Sequence, residues 1–132
     1  MKKTKINSSE FAQIAVKQIH EVVKLVVFVP ETHADIVRKA MGEAGAGTVG
    51  DYEYCSFSVK GINRFIPLKT AHPTIGNIGK LEEVVKEKIE TVCYKEDLDK
   101  IIKAIKKVHP YEEIAIDVYP LVLNPHETTY KK

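Results

Sequence analysis

The run from Val22 to Val29 constrains the fold of this chain more than any other stretch. It reads Val-Val-Lys-Leu-Val-Val-Phe-Val, so apolar residues occupy both alternating sets of positions. A strand that is apolar at both sets must be covered on both faces, which predicts a central strand of a sheet. Pro30 is expected to end this strand, because proline has no N–H for the ladder.

A helix is predicted to follow the first strand. Thr32 and Asp35 have the spacing of a capping box with a shorter acid. An apolar stripe then recurs at helical spacing: Ile36, Val37, Ala40, Met41 and Ala44. Gly45 and Gly47 are predicted to close this helix.

The rest of the chain contains three further strand patterns and one further helix. Residues 52–60 alternate, with Cys55, Phe57 and Val59 predicted to point one way and Tyr54, Ser56 and Ser58 the other. A third strand has Val85, Ile89, Thr91 and Cys93 on its apolar face and Lys86, Lys88 and Glu90 on its polar face, and a fourth has Ile114, Ile116 and Val118 on one face. Between the last two strands, a helix is predicted from the stripe Leu98, Ile101, Ile102, Ile105 and Val108, with acids in its first turn and lysines in its last.

The order strand, helix, strand, strand, helix, strand predicts an α+β, ferredoxin-like (βαββαβ) fold, in which an antiparallel sheet carries two helices on one face. The other face needs a cover. If Val26, Phe28 and the tyrosines at 52, 54 and 119 lie there, self-association through the sheet is expected. Residues 61–83 form the longest irregular connection, a class of loop that is often functional.

Chain length and composition narrow the remaining choices. The 132 residues fit one domain over 22–123, between an N-terminal tail with a short amphipathic helix (1–21) and a C-terminal tail (124–132). Twenty lysines and arginines balance 18 acids, and only two of the basic residues are arginine, so no nucleic-acid surface is expected. No stretch has signal-peptide or membrane-spanning character, and the two cysteines lack a metal-knuckle spacing, so a cytoplasmic protein is expected. Cys55 and Cys93 are expected to be buried thiols, with a disulfide or paired metal ligands left open if the register sets them opposite.

Several motifs together resemble a known family. They are Lys24-Leu-Val-Val-Phe-Val-Pro-Glu-Thr-His-Ala, Glu43-Ala-Gly-Ala-Gly, Tyr54-Cys-Ser-Phe-Ser, Ile75-Gly-Asn-Ile-Gly-Lys-Leu-Glu-Glu-Val, His109-Pro-Tyr-Glu-Glu and Asp117-Val-Tyr-Pro-Leu. The chain from about Lys24 to Leu121 resembles the YqfO-type domain, which is found inserted in Nif-three-like proteins and also alone. That domain is similar to the CutA divalent-ion tolerance proteins and the PII signalling proteins, so the resemblance implies their fold and a homo-oligomer, typically a trimer. The histidine-rich dinuclear metal site of the surrounding Nif-three-like domain has no counterpart in these residues.

The leading candidate site is the corner His109-Pro-Tyr-Glu-Glu, where the last helix ends and the last strand begins. One hypothesis assigns His109 and Glu112 to a divalent metal, zinc or copper, since imidazole and carboxylate suit both ions. A further ligand would have to come from His33, His72 or Cys55, because successive side chains of an extended segment diverge. In the structural alternative, His109 caps the helix, Tyr111 packs on the sheet, and Glu112 and Glu113 face water.

A second candidate is Gly76-Asn-Ile-Gly-Lys80, whose glycines and lysine could present N–H groups and a charge to an anion, although the spacing is not that of a P-loop. The resemblance places it in the loop that serves PII proteins for effectors and partners.

The sequence therefore predicts a non-enzymatic regulatory domain that binds a small ligand or a divalent metal through His109, Tyr111, Glu112, Glu113, His72 and Lys80, with a protein partner at the 61–83 loop left open. Two alternatives remain. One is an enzyme that uses His109 with Glu112 or Glu113 as acid and base, and the other is a structural oligomerisation module.

Overall fold

A computed structural model of the chain describes residues 7–9 and 21–122, and the predicted amphipathic helix and the tail from Asn124 lie outside them. The described part contains one four-stranded antiparallel sheet in the order β2-β3-β1-β4. Its elements are β1 (Val22–Pro30), α1 (Ala34–Glu43), β2 (Phe57–Phe65), β3 (Glu82–Tyr94), α2 (Leu98–Val108) and β4 (Ile116–Pro120). This order confirms the predicted ferredoxin-like α+β fold.

Strand β1 occupies the centre of the sheet, as its apolar run requires. It pairs with β3 on one side and β4 on the other. Val23, Leu25, Val27 and Val29 point to the helices and are at most 4% exposed, and Val26 on the opposite side is 0% exposed. One alternating set of β1 is thus fully buried and the other is buried in part, which explains why apolar residues occupy both sets.

The two helices cover one side of the sheet, here called the helix face (Val23, Leu25, Val27, Val29, Ile89 and Cys93). Val37 and Met41 of α1 and Ile101 and Ile105 of α2 join these residues in one core. Helix α2 has the bounds its stripe predicts, and Gly45 follows α1 with a φ of +104°. The predicted cap at Thr32 is wrong, because a 3-10 turn over Glu31–His33 precedes α1 and no side chain caps the helix.

The second strand lies later in the chain than predicted, at Phe57–Phe65 instead of 52–60. Its start is displaced because the preceding segment bonds elsewhere: the Cys55 N–H donates to the Gly47 carbonyl, and the Thr91 hydroxyl donates to the Cys55 carbonyl. The first residues of the predicted 61–83 loop therefore belong to β2, and the irregular connection covers 66–81.

The side of the sheet opposite the helices, here called the open face (Phe28, Phe57, Val59, Lys88 and Tyr119), is partly exposed. Phe57 is 65% and Tyr119 50% exposed. Phe57 and Val59 were expected on the core side, and the pairing with β3 puts them on the open face instead. Tyr54 was expected on the open face, but its ring lies over Gly42 of α1, so this prediction is also wrong.

The side chains of β3 alternate as predicted, but their burial is reversed at the start of the strand. Val85 is 51% exposed and Lys86 only 6%. Val85 and its cross-strand neighbour Ile62 extend past the part of the sheet that the helices bury. Lys86 belongs to the open-face set by alternation, but aromatic rings cover it there.

Two further predictions can be compared with the structure. Cys55 and Cys93 are free thiols, Cys93 buried and Cys55 half-buried, so they form no disulfide. No helix within the described ranges has the length and apolar character needed to cross a membrane.

Candidate functional site: the 109–113 corner and its cavity

The corner begins with His109, which lies immediately after α2 and is 7% exposed. The Tyr111 N–H donates to His109 Nδ1 at 3.2 Å, so Nδ1 is the unprotonated nitrogen. Nε2 therefore carries the proton and donates to the Phe28 carbonyl at 2.9 Å. Burial lowers the pKa of His109, which keeps the ring neutral. His109 thus ties the corner to the central strand as an uncharged hydrogen-bonding group, not as a solvated cation at a helix end.

Tyr111 extends this arrangement towards the open side of the sheet. Its ring meets the His109 ring edge to face, with centroids 5.2 Å apart. The Lys86 Nζ lies 4.4 Å from the centre of the Tyr111 ring and 5.9 Å from that of Phe65. Burial lowers the pKa of Lys86 and raises that of Tyr111. Within ranges 7–9 and 21–122, the buried Tyr111 hydroxyl has no hydrogen-bond partner, so this part of the chain leaves one polar group of the corner unsatisfied.

A cavity of about 470 Å³ opens beside this corner. One wall is the end of β2 at Phe65 and the segment that follows it, with Ile66, Pro73 and Ile75, and the other includes Tyr111, Glu112 and Glu113. Volume and lining are typical of small-molecule pockets, which combine apolar walls with a few polar groups. The cavity lies within one chain, so its walls form without a second copy.

Hydrogen bonds hold the two walls together. The His72 backbone N–H donates to Glu112 Oε1 at 3.0 Å, and the Thr74 hydroxyl donates to the Pro110 carbonyl at 3.3 Å. Glu112 and Glu113 are otherwise exposed, as the structural alternative expects. His72 therefore contacts the corner through its backbone, and a role of its imidazole in binding a ligand stays a prediction.

The remaining predicted residues are not brought to the corner. Lys80 is exposed and does not line the cavity. The His33 ring bonds with the adjacent Thr32 hydroxyl. Among residues 7–9 and 21–122, no group of three or more histidine, cysteine, aspartate or glutamate side chains could hold a metal ion. Zinc or copper at His109 and Glu112 stays a prediction, and binding through His109 would displace one of its two hydrogen bonds.

Sequence reasoning missed Lys86 and Phe65. The alternation of β3 placed Lys86 on a solvated face, whereas the chain after β2 folds back over it. One signal was present: Val84 and Val85 are adjacent apolar residues, which indicates that both faces are in use at that end of the strand.

The chain is similar in sequence and structure to segments of longer bacterial proteins. No family model matches it. A Halalkalibacterium halodurans protein named GTP cyclohydrolase 1 type 2 homolog is 51% identical over 105 residues, which are 80% of this chain and 28% of the relative. A Bacillus cereus protein related to NIF3 shares 47% identity and a TM-score of 0.71, over 79% of this chain and 26% of that one.

Proteins of low sequence identity share the fold of this chain. CutA from Synechococcus elongatus gives a TM-score of 0.57 at 17% identity, over 76% of this chain and 77% of CutA. The chain spans only about a quarter of the Halalkalibacterium and Bacillus proteins it matches. The resemblance inferred from the motifs is confirmed: this chain resembles the YqfO-type domain of Nif-three-like proteins, and it has the fold of CutA.

Proposed function

We propose that the chain is a non-enzymatic domain that binds a small molecule in the cavity beside the 109–113 corner. The observation that carries this proposal is the cavity of about 470 Å³, walled mainly by apolar side chains with Lys86, Glu112 and Glu113 as its charged groups. Such a lining buries the body of a ligand and orients it through a few polar contacts. The corner motif then serves as one wall of a binding site.

The geometry of His109 favours binding over the acid–base alternative. A general base needs a nitrogen lone pair that can reach a substrate proton. The only free lone pair of this neutral ring lies on Nδ1, and the Tyr111 N–H already uses it. Glu112 and Glu113 are exposed, and among the described residues neither is bonded to an imidazole ring.

The experiment is a screen of small molecules by native mass spectrometry and thermal shift, repeated on a variant with a filled cavity. Ala71 lines the cavity, so Ala71→Trp should abolish binding of every hit. Thr48→Trp places the same ring at an exposed position outside the cavity and should leave binding intact. Hits that bind the Ala71→Trp variant with unchanged affinity would refute a ligand in this cavity.

We also propose that the domain forms a homo-oligomer, with a trimer as the expected number. The supporting observation is the open face, where Phe57 and Tyr119 are at least half exposed and Val59 is 44% exposed. A charge at Phe57 should dissociate the assembly in sedimentation equilibrium. Ile78→Glu, at a residue of similar exposure in the 66–81 connection, is the matched control. A Phe57→Glu variant with unchanged mass would exclude the open face as the contact.

A further inference from the structure

Lys86 is an unusual lysine because its ammonium lies in the cavity wall without a polar partner. The residue is 6% exposed, and it is the one lysine or arginine among the described residues that line the cavity. Its ammonium makes no hydrogen bond or ion pair with any residue of the 7–9 and 21–122 ranges, and the neighbours of the ammonium are the Tyr111 and Phe65 rings. Desolvation of an ammonium is unfavourable, and ring faces offset only a part of it.

Two acids of β3 close to Lys86 in sequence, Glu83 and Glu87, lie on the other alternating face of the strand and pair with arginines. Glu87 is paired with Arg38, and Glu83 with Arg64. On the opposite wall, Glu112 accepts the His72 N–H. Glu113 lines the cavity as well, but neither Glu112 nor Glu113 forms an ion pair with Lys86. Among the described residues, no carboxylate therefore lies within ion-pair distance of the Lys86 ammonium, and a bound anion could take that place.

We propose that the ligand of this cavity is a small amphipathic anion, with an apolar body and one carboxylate, sulfonate or phosphate monoester group that pairs with Lys86. This assignment rests on the proposed binding function and names the chemical class of the ligand. The apolar body contacts Phe65, Ile66 and Ile75, and the anionic group lies beside the ammonium. A ligand anion would restore the interaction that burial removes, consistent with the lowered pKa of Lys86.

Two fluorescent probes that differ by one charge test this assignment. They are 8-anilinonaphthalene-1-sulfonate and N-phenyl-1-naphthylamine, which lacks the sulfonate. A charge-assisted hydrogen bond is worth roughly 1.5–3 kcal/mol, so the wild type should bind the sulfonate about ten- to a hundredfold more tightly than the neutral probe. In Lys86→Met that preference should vanish while the affinity for the neutral probe is retained, which also shows that the variant is folded.

The matched control is Lys88→Met, which removes a lysine of the same strand that is ion-paired with Glu90 and does not line the cavity. It should keep the preference for the sulfonate. The Ala71→Trp variant, in which the indole fills the cavity, should bind neither probe.

Equal affinity of the wild type for the two probes, or a preference that survives Lys86→Met, would overturn the anion assignment. If both probes still bind and Ala71→Trp displaces them, the proposed binding function stands. If neither probe binds, or if both bind Ala71→Trp as they bind the wild type, both proposals fail.

Discussion

Replacing His109 with phenylalanine should lower the free energy of unfolding by about 2–4 kcal/mol. A change of this size would show that the corner contributes to the stability of the domain. Phenylalanine retains most of the ring volume, so the change isolates hydrogen bonding from cavity formation. It strands the Phe28 carbonyl and the Tyr111 N–H, which now bond to the imidazole at 2.9 and 3.2 Å. A buried group left without a partner costs about 1–3 kcal/mol, a penalty that already includes its lost bond. Because both stranded groups are neutral, about 1–2 kcal/mol for each gives the expected total of about 2–4 kcal/mol.

Urea unfolding measures this difference, with His33→Phe as the control. His33 is half-buried, and within the described part of the chain its ring bonds only with the neighbouring Thr32, so its substitution should change stability by no more than about 0.5 kcal/mol. A loss below about 1 kcal/mol for His109→Phe, or one equal to that of His33→Phe, would refute the role assigned to His109.

The pH dependence gives an independent check with a defined sign. Burial holds the pKa of His109 below its ordinary value of about 6.5. Between that value and the lower folded one, the unfolded chain binds the proton and the folded chain does not, so wild-type stability falls as pH falls. The phenylalanine variant lacks this loss, and the stability gap between the two proteins should narrow from pH 7.5 to pH 5.5. A constant or widening gap would contradict a neutral, buried imidazole.

Three other predictions concern thiols, glycines and Lys86. Burial raises the pKa of Cys93 to about 11, so a thiol reagent at neutral pH should modify Cys55 first and reach Cys93 only on unfolding; equal native rates would contradict this. Gly47→Ala should destabilise by about 1–3 kcal/mol, since the added Cβ would lie 2.4 Å from the Cys55 carbonyl oxygen at a φ of +81°. Gly61→Ala, with open space around it, should stay within about 0.5 kcal/mol in the same thermal melts. Burial lowers the pKa of Lys86, so Lys86→Met should be more stable than the wild type at neutral pH, and this gain should vanish as pH rises to about 10.4; a gain independent of pH would disprove the desolvation argument.

The fold follows from the sequence wherever one element carries its own signal. Helix α2 has an apolar stripe, matched terminal charges and Pro110 just beyond it, and its bounds are as predicted. The second strand has no such definition, because residues 52–60 alternate as well as residues 57–65 do. Pairing with β3 decides between them, and that pairing is a tertiary contact which local periodicity does not encode.

The candidate site, too, could be predicted from the sequence only in part. The sequence locates the corner because the helical spacing of apolar residues stops before His109 and the alternation typical of a strand begins after Glu113. Lys86 escaped notice because its burial depends on Phe65 and the segment after β2, which returns over the open side of the sheet. An irregular segment of this kind has no period, so its docking position follows only from the three-dimensional contacts.

The pairing of β1 with β4 has a consequence for the order of assembly. Val23 lies opposite Pro120, so the first and last strands meet only after nearly the whole chain has been gathered, and β4 supplies just five residues to that seam. Bringing the ends of so long a loop together costs conformational entropy, so we expect the β1–β4 pairing to form late in folding. The 109–113 corner, which forms one wall of the cavity, directly precedes β4. A ligand that contacts this wall would bind only the state in which β4 is paired with β1 and would shift the equilibrium towards that state. Protection of the β4 amides from hydrogen exchange should therefore rise with the ligand concentration.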